Sequence, residues 1–213
     1  MAQPLLDTYA LSSSAVIEGL REDYKDGSGT IAYFYIEFGD LPTRHIRNLL
    51  SSLLLQLAAH SDTRCKVLHD LYSKHGNGTK EPTEEALLDS LKEMLKVTTQ
   101  GPTFLIIDGL NEALPSAPQH EPPKIVEQLV ALGLQDLRIF ATCLAVLDPE
   151  EEPPLPLESV ASHPIRLHET KGHLDDIVLY IDWCIKENKR MKRWRHEDKV
   201  DTVQTLSRKG AGS

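Results

Sequence analysis

The stretch that most limits what this chain can fold into is T-F-L-I-I-D, residues 103–108. Phe104, Leu105, Ile106 and Ile107 are apolar without a break, so no alternation separates a dry face from a wet one. A strand of that kind is covered on both sides, as strands are in parallel sheets flanked by helices. Residues 30–38 (TIAYFYIEF) have the same nearly continuous apolar, β-branched and aromatic content and are expected to form a strand buried on both faces. Residues 137–144 (LRIFATCL) supply a third such strand, and 164–169 (PIRLHE) a short fourth.

Between these runs the apolar period changes from strand-like to helical. Residues 10–24 carry apolar side chains at 11, 16, 17 and 20. Residues 44–61 carry them at 46, 49, 50, 53, 54, 57 and 58, a stripe over four helical turns. Residues 62–76 form a helix that ends at a glycine, and 81–98 another, with Thr83 as N-cap and Glu84 and Glu85 in its first turn. A shorter helix is expected at 124–133, and helices from Leu174 to Trp194 and from His196 to Gly210. Residues 25–29 read as a turn, and 148–164 are too rich in proline and acid for regular structure throughout. Strands that alternate with helices define an α/β fold with a parallel sheet over residues 1–170, followed by a helical region over 171–213.

Composition narrows the partners. The 213 residues carry a net charge of −9, which disfavours nucleic acid because phosphate binding needs a basic face. The longest apolar run falls short of the ~18 residues a membrane span needs. Cys65, Cys143 and Cys184 are odd in number and far apart. They read as buried or half-buried free thiols in a reducing, cytoplasmic setting, not as a disulfide framework or a zinc site.

The chemistry is concentrated after the second strand. Ligands of an open α/β sheet bind outside the carboxyl ends of its strands, where Asp108 stands. Glu112 follows four positions later, across the turn that leaves the strand. One such carboxylate can hold Mg²⁺ while the other orients an attacking water. The phosphate cradle G-x-x-x-x-G-K-[ST] that such a site needs is not found in this sequence. The glycine-bearing segment at 74–82 has no strand before it and reads as a loop, and Ser12, Ser13 and Ser14 lie in no G-x-S-x-G elbow. The nine histidines form no H-E-x-x-H or comparable pair. The basic stretch 186–199 around Trp194 contains Glu187, Glu197 and Asp198 and reads as a solvated helix face anchored by the tryptophan.

The order of these segments resembles the NACHT domain of fungal STAND NTPases of the nephrocystin-like type. LSSSAVIEGL (11–20) resembles the helix after the P-loop, and TIAYFYIEFGD with RHIRNLLSSLLLQL the second strand and its helix. FLIIDGLNEAL resembles the Walker B box, LRIFATCL the sensor strand, and residues 163–210 the last strand and the helical lid. The resemblance implies a P-loop NTPase-like sheet with Mg·ATP or Mg·GTP as cofactor. It assigns Asp108 to the metal, Asn111 and Glu112 to the catalytic acid positions, and Thr142 to the sensor position facing the nucleotide.

This sequence departs from that pattern at three places. The family's Lys-Ser/Thr belongs where Asp7-Thr8-Tyr9 stands, with only six residues before it. Asn111 replaces the first acid of the distal pair, and Leu144 stands where the family has arginine. The fold expected from the resemblance is therefore a parallel sheet lacking its P-loop strand, and the start of a lid. Without the lysine and the cradle, nucleotide affinity is expected to fall to about millimolar or weaker. The chain then works as a non-hydrolysing interaction or regulatory module on protein partners, in homo- or hetero-oligomers with intact NACHT proteins. The alternative is one segment of a complete nucleotide switch whose P-loop lies upstream.

Overall fold

The computed structural model describes residues 3–37, 39–97, 101–114, 121–143, 160–164, 173–188 and 190–210. It has two compact units, the first holding the sheet and the second the helices after residue 161.

The first unit contains helix α1 (Gln3–Asp23), strand β1 (Thr30–Tyr35), a one-turn helix α2 (Leu41–Arg44), and helices α3 (Ile46–Ala58), α4 (Asp62–Lys74) and α5 (Glu84–Lys96). Strand β2 (Thr103–Asp108), a 3₁₀ turn (Leu110–Glu112), helix α6 (Pro122–Val130) and strand β3 (Leu137–Ala141) complete it. The three strands form a parallel sheet in the order β1-β2-β3. Thr103 lies between Thr30 and Leu137, and Ile107 between Phe34 and Ala141. This is the α/β class that the alternating periods imply.

β2 is the central strand because it alone is apolar enough for both faces. Leu105 and Ile107 point into the main core with Leu49, Leu50, Leu53, Leu57, Leu91 and Met94 of α3 and α5. Ile106, on the opposite face, is also fully buried. Fully burying a leucine or isoleucine is worth about 1.5–3 kcal/mol, so this layer dominates the stability of the unit. Tyr24 of the α1 segment lies over Phe104 with ring centroids 5.1 Å apart.

The helix caps follow the sequence. Thr83 caps α5 through the Ala86 amide, and Ser61 caps α4 through the Arg64 amide. The turn at 25–29 and the loop at 75–83 are where the composition puts them.

Several expectations need correction. Helical structure begins at Gln3 rather than at residue 10. The helix expected over 44–61 is interrupted at His45, whose extended backbone (φ −82, ψ 127) ends α2 and caps α3. The interruption has a cause. His45 forms a parallel bridge with Leu114, in which the Leu114 amide donates to the Arg44 carbonyl at 2.7 Å and draws that carbonyl out of a continuous helical ladder. β1 is buried on one face only: Thr30, Ala32 and Ile36 are buried, while Tyr33 and Tyr35 are half-buried, because β1 is an edge strand. Cys65 is exposed, not buried, since α4 turns its neighbours Arg64 and Val67 inward. The expected fourth strand at 164–169 lies, apart from Pro164, outside the described residues.

The second unit contains α7 (His173–Glu187), a 3₁₀ turn (Met191–Arg193) and α8 (His196–Gly210). The single helix expected from Leu174 to Trp194 stops at Glu187. Asn188 turns its side-chain oxygen onto the amides of Arg190 and Met191 and competes with the helical ladder. The basic stretch 186–199 is therefore not one helix face, and Trp194 is 39% exposed. Among the described residues no helix is long and apolar enough to cross a membrane.

Candidate functional site

Asp108 ends β2 at the carboxyl edge of the sheet and is 7% exposed. Its Oδ1 accepts a hydrogen bond from the Ser13 hydroxyl at 2.8 Å, and a second, shorter one from the Thr142 hydroxyl. Thr142 Oγ1 in turn accepts from the Gly109 amide at 2.9 Å, and its carbonyl accepts from the Leu110 amide at 2.9 Å. A buried carboxylate without such donors would lose several kcal/mol in desolvation, so the two hydroxyls make the burial tolerable.

Three elements bring these side chains together. α1 turns the stripe Ser13, Ile17 and Leu20 toward the sheet, and Ser13 is fully buried at one end of it. β3 leads straight into Thr142, whose amide donates to the Ile107 carbonyl at 3.0 Å. Gly109 adopts a left-handed conformation (φ 77, ψ 40) that swings the chain off the strand. A Cβ there would sit 2.7 Å from the Ile36 carbonyl oxygen. Nearby, Ser14 and Tyr35 share a hydroxyl hydrogen bond of 3.2 Å.

Of the residues marked by sequence, Asp108 and Thr142 meet directly. Glu112 does not join them: its carboxylate accepts from the Asn111 side chain at 3.0 Å, and no hydrogen-bonding group is shared with Asp108. The turn carrying Asn111 and Glu112 is tied to the start of the α3 region instead. The Glu112 carbonyl accepts from Arg44 Nε at 2.7 Å, and the Leu114 amide donates to the Arg44 carbonyl at 2.7 Å.

The set offers hard oxygen ligands, one carboxylate and two hydroxyls, of the type Mg²⁺ accepts. Both hydroxyl hydrogens are directed at the carboxylate. Residues 7–9, where the resemblance puts the phosphate-binding Lys-Ser/Thr, are Asp7, Thr8 and Tyr9 within helix α1. Among the described residues no group of three or more His, Cys, Asp or Glu side chains is placed to hold a metal ion.

Two contributors escaped the sequence reading. Ser13 carried a signal that was there to find, a hydroxyl in the buried stripe of an amphipathic helix. Arg64, at the opposite end of the sheet, carried less. It is 1% exposed and donates to Thr103 Oγ1 at 2.9 Å, Thr30 Oγ1 at 3.3 Å and the Met94 carbonyl at 3.2 Å. Burial lowers its pKa from the ordinary guanidinium value.

A parallel α/β unit whose central strand ends in a buried acid, beside a hydroxyl just past the end of the next strand, is consistent with a truncated P-loop-like fold. The family model described as nephrocystin 3, N-terminal, matches residues 10–143, and the chain belongs to that family. No curated protein and no solved structure matches it significantly.

Proposed function

We propose that this chain is a non-hydrolysing NACHT-like module that acts by binding protein partners, including copies of itself or intact relatives. The observation that carries this is the use of Asp108. Its Oδ1 holds α1 and β3 against β2 through Ser13 and Thr142, so the acid serves as an internal strut. Mg·ATP and Mg·GTP are the cofactors the resemblance implies, and on this reading neither binds tightly. Three cysteines without disulfides support a reducing, cytoplasmic setting.

Isothermal titration of the purified chain with Mg·ATP and with Mg·GTP tests the proposal. The expected result is affinity of about 1 mM or weaker, above −4.1 kcal/mol. Micromolar affinity for either nucleotide would overturn it. A second reading, one segment of a complete switch, is favoured by the retained proximity of Asp108 and Thr142 at adjacent strand ends. An in-frame G-x-x-x-x-G-K-[ST] encoded upstream of Met1 is the observation that would select it.

A further inference from the structure

Three places in the sequence put a carboxylate or carboxamide immediately before a glycine: Asp26-Gly27, Asn77-Gly78 and Asp108-Gly109. At each of them the glycine nitrogen can attack the carbonyl carbon of the side chain before it, because no Cβ on the glycine obstructs the approach.

The fold blocks two of the three. The Gly27 amide donates to the Tyr24 carbonyl at 3.0 Å. The Asp26 side chain accepts from the Ser28 hydroxyl at 2.6 Å and from the Ser28 amide at 3.0 Å. Those bonds, the hydroxyl's first, hold the Asp26 carboxyl below its ordinary pKa, in the charged form that a nucleophile does not attack. The Gly109 amide donates to Thr142 Oγ1 at 2.9 Å, and Asp108 is buried under its two hydroxyl donors.

Asn77-Gly78 lies in the turn that joins α4 to α5, and both residues are exposed. The Gly78 amide has no acceptor and the Asn77 side chain no partner among the described residues. The bonds of the turn engage their neighbours instead. The Asn77 amide donates to the Tyr72 carbonyl at 3.1 Å, the Thr79 amide to the Gly76 carbonyl at 3.2 Å, and the Lys80 amide to the His75 carbonyl at 3.1 Å. Asn77 has a left-handed backbone (φ 53), which asparagine tolerates better than most residues. Rotation about its Cα–C bond brings the Gly78 nitrogen to its Cγ. That rotation disturbs only the Thr79 and Lys80 bonds, which are exposed, so water takes their place. The other three asparagines precede Leu49, Glu112 and Lys189, and their side chains are engaged. Asn48 donates to the Pro42 carbonyl at 2.7 Å, Asn111 donates to Glu112 at 3.0 Å, and Asn188 accepts from the Arg190 and Met191 amides.

We propose that Asn77-Gly78 is a self-modification site at which the chain converts asparagine to aspartate and isoaspartate. The Gly78 amide gives its proton to hydroxide, and its nitrogen bonds to Asn77 Cγ. The Cγ–Nδ2 bond breaks, and Nδ2 takes a proton from water and leaves as ammonia. The succinimide ring so formed adds one water. Cleavage of its Cγ–N bond gives aspartate on an unchanged backbone. Cleavage of its C–N bond gives isoaspartate, whose main chain runs through Cβ and Cγ. Water is the only co-reactant, and nothing is oxidised or reduced. Either product adds a negative charge to the turn. Isoaspartate also lengthens the main chain between His75 and Lys80, which pulls the Lys80 amide out of register with its acceptor.

The test incubates the purified full chain at mildly alkaline pH in heavy-oxygen water. Digestion at acid pH in ordinary water follows, with mass spectrometry that separates aspartate from isoaspartate. Heavy oxygen should enter at residue 77, in both isomers, at least about tenfold faster than at Asn48, Asn111 or Asn188. The rate should rise with pH, and Asp26 and Asp108 should yield no isoaspartate over the same period. Isoelectric focusing should show an acidic species accumulating in the unaltered chain and not in Asn77→Gly, a substitution that suits the left-handed backbone. Should that variant fail to fold, the label map of the unaltered chain decides. Conversion at residue 77 no faster than at the other three asparagines overturns the proposal. So do isoaspartate at Asp26 or Asp108 formed as fast as at residue 77, and an acidic species undiminished in a folded Asn77→Gly.

Discussion

At the scale of single residues, the stability of the site end depends on hydroxyls that serve one buried acid. Ser13→Ala leaves Asp108 Oδ1 with Thr142 alone in a place where water does not replace the lost donor. The expected cost is about 1–3 kcal/mol, a fall in melting temperature of roughly 3–9 °C for a chain of this size, read by calorimetry. Ser14→Ala, one position along the same helix, removes a part-buried hydrogen bond to Tyr35 and should cost under about 1.5 kcal/mol. Equal losses at the two serines would mean that Asp108 is not the strut described. At the other end of the sheet, Arg64 joins both strand starts to the α5 terminus. Arg64→Ala removes the donor to two threonine hydroxyls beside a cavity, while the Met94 carbonyl keeps the Val97 amide, and about 3 kcal/mol should be lost. Arg64→Met, which fills the space without the charge, is expected to lose less, because it also removes a desolvated cation. Chemical denaturation of the pair checks that order.

At the scale of elements, the strands and helices were largely legible in the sequence, and the exceptions share one physical form. The helices at 62–74 and 84–96 and the strand at 103–108 are set by local terms: apolar period, N-caps and β-branched content. The break at His45 was not legible, because it depends on Leu114, far along the chain, bridging to it. The single-sided burial of β1 was not legible either. Its composition suits a central strand, and only the sheet order puts it at an edge plugged by Gln56. The exit from β2 lies between these cases. Glycine after a buried strand announces a turn, but the reason alanine fails is tertiary. Gly109→Ala combines a left-handed backbone with a Cβ 2.7 Å from the Ile36 carbonyl, in the place where the Ile36 amide bonds the Asp108 carbonyl at 2.9 Å. Destabilisation of about 1 kcal/mol or more is expected, with the largest loss of amide protection at Ile36. A variant as stable as the parent would show that the turn can relax freely.

At the scale of the whole molecule, the α/β class and the family were determined by the sequence alone. Uninterrupted apolar strands can be satisfied only in a sheet covered on both faces, and their spacing leaves room for helices between them. The family model's match to residues 10–143 rests on the same residues. Sequence also placed Asp108 at the carboxyl end of the central strand and noted the missing phosphate cradle. Tertiary structure decided what Asp108 touches, since Ser13 is 95 residues away along the chain and only helix packing brings its hydroxyl to the carboxylate. It separated Glu112 from Asp108, because Arg44 draws the turn toward another segment. It also decided that the Gln56 side chain seals the β1 edge of the sheet. Those outcomes depend on long-range backbone pairing, and a local apolar pattern carries no information about which distant partner satisfies a given amide.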